Sequence, residues 1–445
     1  MSVLDLSASD LAAAVRQGEV TPQGVTREAE MREEERNPAI NAICLMNPRA
    51  AEEAQAVARR LDAGEPMPLA GVPVLIKDNI WVKGLRIAQG SRLYADHIAP
   101  ADAEAVVRLR QAGAVILGIT ACSEFACKGA TNSPLHGITR NPVDLSLTPG
   151  GSSGGSVAAV AAGIVPLALG TDAGGSTRRP PAHTGLIGLK PTQDLIPYGP
   201  GFDEPVWGIS VICPTARTMA DISLAMEVLA GVAPIEPIDP ALATSADFGT
   251  GQCLDPDVSK NFAEAVGRIK AKGVKVREAS IDWPDGIQGH DIQPLQYAGL
   301  AHLHGNDWHR TRHLFDPALA KQIETGLALS GAQVAAAHQV SHKMRETLND
   351  ALDRYGFIAT PTTPCAAWPA DLNAPSEIGG KPAQPRDHAA FTSHCNHAGV
   401  PAISLPSGTD NNGRPLGLQL IGPAGSDAAL IGFAKTLEPI LQEIQ

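Results

Sequence analysis

Two serines and one lysine are the residues of this chain best suited to chemistry. Ser176 lies in GTDAGGSTR (residues 170–178), Ser152 in GGSSGGS (150–156) and Lys77 in the apolar run VPVLIKDN (72–79). Together they supply a hydrolytic site that needs neither histidine nor metal: a hydroxyl nucleophile, a second hydroxyl that both donates and accepts, and an amine base. Gly174 and Gly175 let the backbone approach a substrate closely. Successive N–H groups of Ala173, Gly174, Gly175 and Ser176 can then converge on a developing oxyanion. Glycine-rich turns after strands are also common without any function, so this turn decides nothing alone.

Lys77 admits two readings. A charged ammonium is costly to bury at the end of an apolar strand. Its side chain therefore either snorkels to solvent or is buried and partly neutral, its pKa lowered by desolvation. A neutral lysine amine is a competent general base. Asp78 follows it directly and, on a strand, points to the opposite face. The loop 150–156 has a rival reading as a phosphate cradle. That reading lacks support, because no GK[ST] follows the loop and no GxGxxG is formed.

These residues need elements to hold them. Ser9-Asp10 is placed to cap a helix that Gly18 stops, and Asp102 to cap a helix ending at Gly113. The runs 114–120 and 164–172 read as buried strands, with a short helix over 156–162 between the two serines. A long helix is expected over 331–354, with Ser330 as N-cap and Gly356 beyond its end. Segments 400–408 and 414–422 read as strands joined by a loop holding Asn412-Gly413. Two proline-rich stretches, 233–257 and 361–386, read as a surface connection and a long loop, the second placed to border a site. Helices alternating with near-continuous apolar strands predict an α/β sheet covered on both faces.

Composition narrows the function. The chain has 445 residues, 44% hydrophobic and 18% charged, ordinary for a globular protein with a large core. A net charge of −12 with scattered basic residues argues against nucleic acid, which is bound through clustered lysine and arginine. The N-terminus has no basic and apolar signal pattern, and no run reaches the ~18 apolar residues of a membrane span. Seven cysteines, odd in number and scattered, fit free thiols in the cytoplasm. Cys122 and Cys127 have no second pair at zinc-ligand spacing.

The segments 72–79 and 148–182, with PTTP (361–364) and GVPAISLPSG (399–408), resemble the amidase signature family over nearly the whole chain. The resemblance implies one domain spanning residues 1–445, built on a large mixed central sheet wrapped by helices on both faces. It implies amide hydrolysis by a Ser–cis-Ser–Lys triad without a cofactor or metal. Ser176 is then the nucleophile, Ser152 the bridging serine on a cis peptide and Lys77 the base, with an acyl-enzyme on Ser176. Ser153, Asp172 and Arg178 match polar positions that hold the loop shape, and Ala173, Gly174 and Gly175 the oxyanion turn. Segment 123–137 resembles the substrate-lining stretch, which nominates Phe125, Ala126, Cys127 and Lys128 as pocket residues. Lys128 is either a reader of a substrate carboxylate or a solvated surface lysine.

The chain departs from the pattern in places. Thr177 and residues 179–181 stand where an aliphatic residue and a single proline are frequent, and His394 where proline is frequent; these touch the pocket wall rather than the triad. The histidine sets 302, 304, 309, 313 and 388, 394, 397 come close to metal-ligand spacings but read as structural. The expected partner is a small amide, ureide, hydrazide or carbamate-like molecule, with homodimer formation left open. The alternative is the glutaminase subunit of a tRNA-dependent amidotransferase, which acts in a complex. A silent scaffold on the same fold leaves Lys77, Ser152 and Ser176 without a purpose.

Overall fold

The apolar runs assemble side by side into one 11-stranded sheet in a computed structural model that describes residues 2–443 apart from Trp207, Asp239 and residues 285–290. Its strands are β1 (Ile43–Met46), β2 (Pro73–Lys77), β3 (Val115–Thr120), β4 (Leu167–Asp172), β5 (Ile187–Lys190) and β6 (Val211–Ala216). The second half of the chain adds β7 (Ala241–Thr244), β8 (Lys275–Glu278), β9 (Phe357–Pro361), β10 (Ala402–Thr409) and β11 (Pro415–Ile421). They lie in the order β1-β3-β2-β4-β6-β5-β10-β11-β9-β7-β8. Parallel pairs (β3-β2-β4 and β9-β7-β8) flank a central antiparallel block, so the sheet is mixed as expected. Every residue of β2, β3 and β4 is buried, which is why these strands read as continuous apolar runs rather than alternating ones. Among the described residues, no helix is long and apolar enough to cross a membrane.

Element types follow the sequence closely and boundaries less so. The long helix is Gly331–Tyr355, with Ser330 and Gln333 forming a capping box at its start. β10 and β11 pair antiparallel as expected. The first helix, Ala8–Arg16, is capped by Ser7 rather than Ser9-Asp10, because the Ser7 hydroxyl accepts the Asp10 N–H at 3.0 Å. Asp102 caps nothing. Ala103 precedes the helix Glu104–Gln111, while the Asp102 carboxylate accepts the Lys83 N–H at 2.7 Å and pairs with Arg110 at 3.2 Å. The helix after Ser152 is Gly154–Ala161, starting two residues earlier than the pattern suggests, and β4 starts three residues later. Stretch 233–257 is not only a surface connection. It holds β7, four residues in register between β9 and β8, hidden by its brevity and by the prolines that precede it.

Candidate active site

Parallel pairing of β2 with β4 aligns their C-terminal ends, and this brings Lys77 beside Thr171 and Asp172. The helix Gly154–Ala161 packs behind, holding the 150–156 loop over the same spot. A Cβ at Gly155 would lie 2.3 Å from the Ala121 carbonyl oxygen, so only glycine permits this approach. The Gly151–Ser152 peptide is cis. Lys77 has no solvent exposure, which rules out snorkelling. Its Nζ lies 2.8 Å from the Ser152 hydroxyl, 2.9 Å from Ser153 and 2.9 Å from Thr171 Oγ1. Asn79 donates to the same Thr171 hydroxyl at 2.9 Å. Burial pulls the lysine down to about 8, although Cys122 and Asp172 pull it the other way. Such an amine is partly neutral near pH 7 and available as a base. Asp78 faces away, as a strand neighbour must, and accepts the N–H groups of Ala88 and Gly90 and a ring nitrogen of His136.

The turn carrying Ser176 is held by a buried ion pair. Arg178 grips Asp172 through Nη2 at 2.9 Å and Nε at 3.1 Å, both side chains fully buried. Arg178 also donates to Gln419, Asn396 and the Thr392 carbonyl, so its charge is fully satisfied. Burial pushes the Asp172 carboxyl up, but the Arg178 charge and the N–H groups of Thr177 and Gly175 outweigh it and hold it well below its usual range. Gly175 sits at φ +110°, and a Cβ there would lie 2.2 Å from Thr392 Oγ1. The oxyanion expectation is refined by this arrangement: the Gly174 and Gly175 N–H groups point at Asp172, at 3.2 and 2.6 Å. The Ala173 and Ser176 N–H groups make no hydrogen bond among the described residues. Replacing Asp172 by asparagine should leave Arg178 as an uncompensated buried charge, costing about 3–5 kcal/mol. A urea unfolding series reads this directly, and a loss under about 1 kcal/mol would contradict the role given to the pair.

Ser176 and Ser152 line one narrow cavity of about 60 Å³, together with Ala173, Phe125, Ala126 and Cys127. Among the described residues Ser176 makes no side-chain hydrogen bond, so the link from Lys77 to Ser152 is formed and the link from Ser152 to Ser176 is not. A larger cavity of about 610 Å³ adjoins it, sharing Cys127 and lined by Lys128, Tyr297, Arg386 and His388. Residues 384–386 form part of its wall, so the second proline-rich stretch does border the site. Lys128 is not a solvated surface lysine: it is buried on the wall of the larger cavity, with its amine paired with Asp316 at 2.8 Å.

Sequence reasoning overlooks Thr171, Asn79, Asn396 and Gln419. Thr171 and Asn79 flank residues already singled out, so adjacency on the strand is a usable signal. The other two come from distant segments and leave none. The histidine sets do not gather. His304 stacks on Phe125 with ring centroids 4.3 Å apart, His394 on Trp283 at 4.5 Å, while His309 and His313 are exposed. Among the described residues the one trio of close metal-type ligands is Cys44, Asp78 and His136, whose Asp78 is already engaged as described. Cys122 and Cys127 are free, buried thiols.

The family model for amidases matches residues 24–431. One subunit of the glutamyl-tRNA(Gln) amidotransferase of Deinococcus deserti is 36% identical, over 99% of this chain and 97% of that protein. An acylamidase of Rhodococcus erythropolis is 32% identical, over 98% and 95%. The crystal structure of an amidase superposes with a TM-score of 0.90 at 28% identity, over 98% of this chain and 99% of the other.

Proposed function

The chain belongs to the amidase family, and from that membership we propose that it hydrolyses the C–N bond of a small amide through an acyl-enzyme on Ser176. The supporting observation is the buried Lys77–Ser152 hydrogen bond, 2.8 Å long, in a cavity shared with Ser176. Neutral Lys77 accepts a proton from the Ser152 hydroxyl as Ser152 takes the proton of Ser176. The Ser176 oxygen attacks the carbonyl carbon, and the N–H groups of Ala173 and Ser176 receive the oxyanion. The tetrahedral adduct collapses as the relay returns the proton to the leaving nitrogen. Water, activated by the same relay, attacks the acyl-enzyme and frees the acid.

Rates on a panel of amides, ureides, hydrazides and carbamates test this reading; no turnover of any member contradicts it. A second reading is favoured by the amidotransferase relative. In that case glutamine is the substrate and release of ammonia requires partner subunits, so co-purification with a partner separates the two. Because base and oxyanion donors both come from the chain, dialysis against a strong chelator should leave the rate unchanged. Loss of rate restored by zinc would point to another mechanism.

A further inference from the structure

The wall of the large cavity carries the Arg386 guanidinium, and the buried Arg179 guanidinium lies close enough behind it to feel its charge; neither forms an ion pair with a carboxylate among the described residues. Arg179 is 3% exposed, and its Nε and Nη1 have no hydrogen-bond partner; its Nη2 donates to the Gly151 carbonyl at 3.2 Å. Arg386 lines the large cavity and also a groove shared with Ala173 and Gly174, and its Nη2 donates to Gln296 at 2.6 Å. Neither arginine has an ion-pair partner among the described residues, in contrast to Arg178, which adjoins Arg179 in the chain. His388, buried on the same wall, leaves both ring nitrogens unpartnered. The nearby carboxylate, Asp387, accepts the Gln384 N–H at 2.7 Å, and Lys128 is paired with Asp316. Burial, then the Arg386 charge, pulls Arg179 down to about 9. Uncompensated buried cations are costly, and folds retain them where a ligand supplies the missing charge.

We propose that the substrate is an amide that also carries a carboxylate, and that Arg386, with the buried Arg179 charge behind it, binds that carboxylate in the large cavity adjoining that of Ser176. This rests on the amide-hydrolase reading and names its substrate class. A carboxylate there gains charge-assisted hydrogen bonds that a neutral amide cannot make. The same field repels substrates bearing an ammonium at that position.

Two matched pairs test it: succinyl against butyryl p-nitroanilide, with the charge on the acyl side, and 4-acetamidobenzoate against acetanilide, with the charge on the amine side. The carboxylate member of at least one pair should be preferred in kcat/KM by roughly 10–100-fold. Arg386→Gln should remove most of that preference through KM, leave the neutral member within about threefold, and regain part of it in Arg386→Lys. Equal or better rates for the neutral member of both pairs overturn the proposal, as does an Arg386→Gln loss shared by both members. If no amide is turned over, the hydrolase reading fails separately. Protection of Ser176 from a fluorophosphonate then decides the carboxylate site: slower labelling with 4-acetamidobenzoate than with acetanilide supports it, and equal labelling overturns it.

Discussion

Replacing Ser176 by alanine should lower turnover by roughly 10⁴–10⁶-fold while the fold survives. The hydroxyl lies in a turn whose shape is fixed by Asp172 and Arg178, not by Ser176 itself, which makes no side-chain hydrogen bond among the described residues. The thermal stability of the variant should therefore change by no more than about 0.5 kcal/mol. Ser152→Ala should act differently. It removes a proton relay but leaves the covalent route open, so a loss of roughly 10²–10⁴-fold is expected, with slow labelling of Ser176 by a reactive probe retained. A Ser176→Ala enzyme keeping a tenth of its activity would remove this residue from the mechanism.

Lys77 carries the second large effect. With the amine lowered to about 8 by burial, the free enzyme is mostly protonated at low pH and inactive in that form. The sign follows: kcat/KM should rise with pH through about 8 and level off once the amine is neutral. Lys77→Met keeps the stem volume and removes the base. It should lose roughly 10²–10⁴-fold and lose the ionisation from the pH profile as well. A variant that stays within about threefold of wild type, or one that keeps the same pH profile, would show that another group takes the proton. The three hydroxyls around Nζ leave little room for such a substitute, since Ser153 and Thr171 are tied to each other at 3.0 Å through the Thr171 carbonyl.

Much of this site is legible in the sequence because chemistry and backbone demand share residues. Glycines at 151 and 155 mark a loop that must touch neighbouring backbone, and the same loop carries Ser152. Lys77 stands out as a charge in an otherwise apolar strand, and the structure resolves its two readings by burying it against three hydroxyls. Less is legible where partners come from far along the chain. Arg178 meets Gln419 and Asn396, 241 and 218 positions away, and no local pattern encodes that. The burial of Lys128 is hidden for the same reason, since its partner Asp316 lies 188 positions downstream. The strand β7 is hidden because four residues directly after a proline-rich run offer too short a pattern to read.

The most direct test of the account is the identity of the residue that forms a covalent bond. Wild-type protein treated with a fluorophosphonate and mapped by peptide mass spectrometry should carry one adduct, on Ser176. The rate of its formation should follow the Lys77 ionisation near pH 8. An adduct on Ser152 or any other residue, with Ser176 unmodified, would contradict the central claim.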